Sequence, residues 1–219
     1  MTAADIAGTV RERAARELRD RILTGALPVG SRIDLDAITE EFATSRTPVR
    51  EALLELSFEG LVQVAPRSGI TVIGISSDDV RDSFVLLGVL TGQAAAWAAE
   101  RATSAELVRL RELADAVAGH AGDAAIGDAN WKFHQAIHRA AHSPRLLTQI
   151  KQAVRVVPWN FLRLFPEHEK HSLHEHDALL DALAARDQPA ARAIAERHVL
   201  DAGHFLADWL ERRQQNQPS

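Results

Sequence analysis

Several polar side chains in the second half of the chain have the types and spacing to hold a metal ion. Asn130, His134 and His138 recur at i, i+4 and i+8 and so stack on one face of a helix. His176 and His198 follow, each close to apolar residues (Leu179 and Leu180; Val199 and Leu200) that would turn the imidazole inward. Three imidazoles and an amide oxygen converging between helices would suit Zn²⁺ or Ni²⁺. Spacing alone leaves the alternative open that these are core or surface hydrogen-bonding histidines. All ten His lie beyond position 119, and His168, His171 and His174 read as a solvated polar stretch.

A second group of residues suits nucleic acid. Val49, Ala52, Leu53 and Leu56 recur at i, i+3, i+4 and i+7, one buried stripe of a helix, which leaves Arg46, Thr47 and Arg50 on the opposite side near its start. An Arg there can fork onto guanine O6 and N7, while Thr47, Ser45 and the first helical amides can hold phosphate. Arg67, in the turn Pro66-Arg67-Ser68-Gly69, could reach a phosphate or the minor groove. The plainer alternative is that Arg46 and Arg50 pair with Glu51 or Glu55. The position at a helix start, the short turn before it and the hairpin after it together favour DNA.

The elements that must position these groups follow from periodicity. Val10, Ala14, Leu18, Ile22 and Leu23 define an amphipathic helix over 10–24 ending at Gly25, followed by a Gly/Pro-punctuated loop to Ser31. Ile33 and Leu35 lead into a second helix over 36–42, and Ala43-Thr44 makes a tight turn. Ser45 is placed to cap the third helix, whose first turn tolerates Pro48, and Gly60 ends it. The apolar runs 61–64 and 70–73 predict a hairpin. From residue 78 only helical periodicity remains, over 79–102, 104–119, 124–141, 144–165, 170–186 and 189–213, with Pro158 kinking or breaking the fourth. The expected fold is mostly α. It comprises a winged helix-turn-helix over 1–75, an antiparallel helical bundle over 76–213 and a disordered tail over 214–219.

Composition sets bounds on these readings. Of 219 residues 46% are apolar and only 5% aromatic, which fits a soluble helical chain with a real core. The net charge is −5, and residues 1–75 hold nine Arg, no Lys and eleven carboxylates, so DNA binding has to rest on where particular Arg side chains point. With no Cys, disulfides and thiolate-held metals are excluded. No run approaches the ~20 apolar residues of a membrane span, and no targeting segment is evident. The expectation is a cytoplasmic chain with no membrane partner.

The run Ser45-Arg46-Thr47-Pro48-Val49-Arg50-Glu51-Ala52-Leu53, with Glu59-Gly60-Leu61-Val62 after it and Gly25-Ala26-Leu27-Pro28-Val29-Gly30-Ser31-Arg32 before it, resembles the GntR family of transcription regulators. The resemblance implies DNA contacts at Arg46, Thr47 and Arg50 and a wing at Gly69 beside the minor groove. Asp36 stands where some members carry Arg. Asn130-Trp131-Lys132-Phe133-His134, Ser143-Pro144, Glu175-His176 and His198 resemble the FCD ligand-binding domain of the FadR subfamily. That likeness implies a divalent metal on Asn130, His134, His176 and His198, with Asn130 in place of the usual carboxylate. It further implies a small carboxylate effector beside the metal. The subfamily's Arg-and-acid pair falls at Leu87 and Thr91; Arg155, on another helix, is a candidate to pair with an anionic effector, with a surface salt bridge as the equal alternative.

The expected function is therefore an effector-controlled regulator, most often a repressor in this family, acting as a homodimer on two-fold operator DNA. The competing expectation from another class is a metal-dependent hydrolase, for which Glu175 would be the nearest general base.

Overall fold

The computed structural model describes residues 9–65, 69–159 and 161–215, apart from the side chain at 214. The chain divides into two compact units, Met1–Ser76 and Ser77–Ser219.

In the first unit, α1 (Val10–Leu23) starts at a reciprocal cap: the Thr9 hydroxyl accepts from the Glu12 amide and the Glu12 carboxylate accepts from the Thr9 amide. β1 (Arg32–Ile33) precedes α2 (Leu35–Glu41), which Asp34 caps by accepting from the Asp36 and Ala37 amides. This aspartate starts the helix one residue earlier than the apolar pattern suggests. A turn with Ala43 at φ 47° then leads to α3 (Arg46–Phe58). β2 (Val62–Ala65) and β3 (Gly69–Val72) form the expected hairpin, with Val62 opposite Val72 and Ala65 opposite Gly69. Gly69 sits at φ 87°, a left-handed geometry that side chains rarely adopt.

Periodicity did not predict the third strand. β1 pairs antiparallel with β3, Ile33 opposite Ile70, giving the order β1-β3-β2. Two residues are too few to show alternation, and only Ile33, 7% exposed, carries apolar burial there. The unit closes around Leu18, Ile22, Ile38, Val49, Leu53 and Leu56 among others.

The second unit is helical throughout its described residues: α4 (Ser77–Arg101), α5 (Ser104–Gly119), α6 (Ile126–Ala140), α7 (Pro144–Ala153), α8 (Phe161–Leu164), α9 (Pro166–Ala184) and α10 (Gln188–Gln215). The helix expected over 144–165 is divided. It tightens into a 3₁₀ turn at Val154–Val156, and Val157, preceding Pro158, is extended at ψ 120°. The tail expected from 214 is also corrected, since α10 runs through Gln215; 216–219 lie outside the described residues. α4 and α10 pack against each other so closely that a Cβ on Gly203 would lie 2.4 Å from Cβ of Phe84. No helix among the described residues is long and apolar enough to cross a membrane.

Candidate nucleic-acid interface and metal centre

The stripe on α3 is buried: Val49, Ala52, Leu53 and Leu56 are each at most 1% exposed. Burying that side leaves Ser45, Arg46, Thr47 and Arg50 exposed. Two ion pairs anchor the far end of the helix. Arg19 on α1 donates from Nε and Nη2 to the two carboxylate oxygens of Glu59, each at 2.7 Å, and Arg11 reaches Glu55 at 3.3 Å. Arg19 is itself only 8% exposed, so this clamp joins the core that orients α3.

Two details differ from expectation, the cap at Ser45 and the partner of Arg46. Ser45 stands at the N-cap but makes no side-chain capping bond. Arg46 pairs with neither Glu51 nor Glu55. It grips Asp36 instead, Nε to Oδ1 at 2.7 Å and Nη2 to Oδ2 at 2.8 Å. Arg50 has no ion-pair partner among the described residues. Arg67 lies outside the described residues, while Gly69 opens β3 on the far side of the hairpin tip.

In the second unit, α6, α9 and α10 bring His134, His176 and His198 together. Their ring centroids lie 5.0 to 5.1 Å apart, and one nitrogen from each falls within 4.8 Å of the other two. His138, one turn beyond His134, is buried but stands outside this trio. Asn130, one turn before it, faces the same cavity with a buried Oδ1 that has no hydrogen-bond partner. Nδ1 of His176 is likewise buried without a partner.

Glu175 supplies the electrostatic frame. Its Oε2 lies 2.8 Å from Nδ1 of His198, which leaves the Nε2 of that ring for another ligand. Burial works to raise the pKa of Glu175. The hydrogen bond to His198, with the nearby His171 and Arg197, outweighs it and holds the carboxyl below its usual range. Burial, reinforced by the neighbouring imidazoles, pushes His134 and His176 well below 6.5, so both present neutral nitrogens with free lone pairs.

This donor set fits a divalent cation. Tetrahedral Zn²⁺ with bonds of ~2.1 Å brings its nitrogens roughly 3.4 Å apart, so the trio needs only a small inward closure. Two orphaned buried atoms, Asn130 Oδ1 and His176 Nδ1, are unusual for a folded interior and are what a ligand would satisfy.

The trio opens onto a cavity of about 130 Å³ with His134 and His198 in its wall. Arg155 is corrected here, because its neighbours Val154 and Val157 line the cavity and it does not. A 3₁₀ turn replaces the expected helix at that point and changes which side chains face inward. His168 is also corrected: it is 7% exposed and lines the cavity. The signal was present in the sequence, since His168, Ser172, His176 and Leu179 form one buried stripe on α9.

Residues 10–72 match the model for bacterial regulatory proteins of the gntR family, and residues 82–201 match the FCD domain. The chain belongs to the GntR family. Its relatives include the HTH-type transcriptional regulator McbR of Escherichia coli K12, 30% identical over 183 residues, covering 80% of this chain and 83% of that one. The galactonate operon transcriptional repressor of the same organism is 29% identical over 212 residues, covering 84% and 91%. The solved structure of E. coli McbR/YncC shares the fold, with a TM-score of 0.73 at 24% identity over 93% of this chain and 99% of that one. A putative regulator from Rhodococcus sp. RHA1 gives 0.59 at 23% identity, covering 91% and 98%. This GntR-family chain is a transcription regulator with an FCD effector-binding domain and is not an enzyme, so the hydrolase alternative falls.

Proposed function

We propose that this GntR-family regulator works in the FadR manner: a cytoplasmic homodimer represses transcription from a two-fold operator and releases it when a small carboxylate binds beside a metal in the FCD domain. The observation that carries this reading is the imidazole trio, with Asn130 beside it, on the wall of a cavity. Zn²⁺ or Ni²⁺ held by His134, His176, His198 and Asn130 supplies a buried positive charge, where the cavity's own cations, Arg139 and Lys151, are exposed. Neutral imidazoles at His134 and His176 leave that charge undiminished, and a carboxylate effector is the complementary partner.

On the DNA side, Arg50 and Arg46 supply the base-reading and phosphate-holding guanidiniums, Thr47 and Ser45 hold phosphate, Gly69 lies beside the minor groove, and Arg67 contacts a phosphate or the minor groove. The homodimer is supported by Val85, Leu86 and Val89 on α4, which are 48%, 65% and 51% exposed and form an apolar face that a second copy would cover. An effector releases the operator only by favouring the dimer arrangement that fits DNA less well.

The test is a mobility shift on the intergenic DNA upstream of the coding region, with the metal content of the same preparation measured by elemental analysis. A salt-sensitive shift by a protein carrying about one metal per chain is expected, and Leu86→Glu should weaken both dimer and shift. A protein purified without chelator that binds DNA fully yet carries no metal would overturn the effector half of the reading.

A further inference from the structure

The cavity beside the imidazole trio is chemically two-sided. Leu87, Ile150, Val154 and Val157 belong to one contiguous apolar cluster and also line the cavity, and Phe84 and Leu162 extend this wall. Two polar groups on the wall are already engaged. Thr91 donates its hydroxyl to the carbonyls of Leu87 and Gly88 at 3.0 and 3.1 Å, and Trp159 donates Nε1 to Asp128 at 2.9 Å. Arg139 and Lys151 line the cavity but are exposed, which puts them at its rim, and Arg139 is bonded to Gln135. Among the described residues that line the cavity, the unpartnered buried polar atoms are Asn130 Oδ1 and His168 Nε2, on the helices α6 and α9 that carry His134 and His176.

We propose that the effector is an amphipathic monocarboxylate, with one anionic head at the histidine end and a hydrocarbon body along the Leu87–Ile150 wall. It is not a polyhydroxylated acid. The inference rests on the carboxylate reading above and adds the class of the rest of the molecule. Each methylene buried on such a wall tightens binding about fourfold. Each hydroxyl buried there without a partner weakens it by about fivefold or more.

The test is calorimetric titration of the metal-loaded full chain with acetate, butyrate and hexanoate, with galactonate as a hydroxylated acid of the same carbon number as hexanoate, and with hexan-1-ol. Affinity should rise about fourfold per added methylene until the cavity is filled, and galactonate should bind at least tenfold more weakly than hexanoate. Galactonate binding as tightly as hexanoate, or affinity flat along the series, overturns the inference while the carboxylate reading stands. Hexan-1-ol binding as tightly as hexanoate overturns the carboxylate reading and the amphipathic acid with it. If none of the five binds, both fail. Leu87→Asn should cost hexanoate roughly tenfold and leave galactonate unchanged; if that variant does not fold, as read by its helical circular dichroism, the wild-type series decides alone.

Discussion

Arg46 holds both side-chain oxygens of Asp36 in a bidentate grip, across the turn that joins α2 to α3. Both side chains are 65% exposed, so water and DNA phosphate can compete for the guanidinium, and a pair this exposed contributes little to stability. In the proposed DNA-binding role of Arg46, Asp36 competes with phosphate for the guanidinium, and its effect falls on DNA affinity more than on folding.

Replacing Asp36 with Ala should tighten operator binding by roughly 3–10-fold and steepen its salt dependence, because a freed Arg46 displaces about one more counterion. Fluorescence anisotropy across a salt series reads both quantities. Weaker binding by the variant would mean that Asp36 holds Arg46 in the pose that DNA needs.

Arg50, exposed and without an ion-pair partner, and Arg19, buried against Glu59, should separate binding from stability. Arg50→Ala should cost specific operator affinity about 5–150-fold and leave the melt nearly unchanged. Arg19→Ala should lower the melting temperature by several degrees, because it removes the bidentate ion pair of a largely buried Glu59 carboxylate. A large melting change in the Arg50 variant would make that residue structural.

Why some of this was legible in the chain and some was not comes down to distance along it. Helical stripes such as Val49, Ala52, Leu53 and Leu56 are local, so the direction of Arg50 could be read from a single turn of sequence. The pairing of β1 with β3 joins residues almost forty positions apart and carries no local signature. The partner of Arg46 was hidden for a similar reason: Asp36 lies on a different helix, outside the i+4 neighbours that periodicity considers. At the metal centre the histidines announced themselves by type. Glu175 stood out only as a candidate base, because its contact with His198 depends on how α9 and α10 rotate against each other. Arg155 lies in a 3₁₀ turn, where no helical phase indicates which way a side chain faces.

Glu175→Gln tests that contact. The amide keeps the shape but loses the charge that fixes the His198 tautomer, so metal affinity should fall about 10–100-fold. His134→Ala with His176→Ala should abolish metal binding. Competition against a chelator reads both variants, and unchanged metal retention in the double variant would remove the site.

The last prediction concerns pH. His138 is 9% exposed, and burial, helped by the neighbouring Arg139, pushes its imidazole down to about 4 from 6.5. The unfolded chain therefore takes up this proton first. The contribution to stability is complete above pH 6.5 and drains away as pH falls towards 4, amounting to about 3 kcal/mol in total. His134 and His176 are lowered as well and erode stability in the same direction, so the wild-type melt alone cannot isolate His138. His138→Gln removes one of these protons from the balance. Its melting temperature should fall less steeply than that of the wild type between pH 7 and 4.5, in chelator-treated samples so that metal release does not contribute. Parallel slopes would show that His138 gains its proton as readily in the folded chain as in the unfolded one, and that its burial carries no energetic cost.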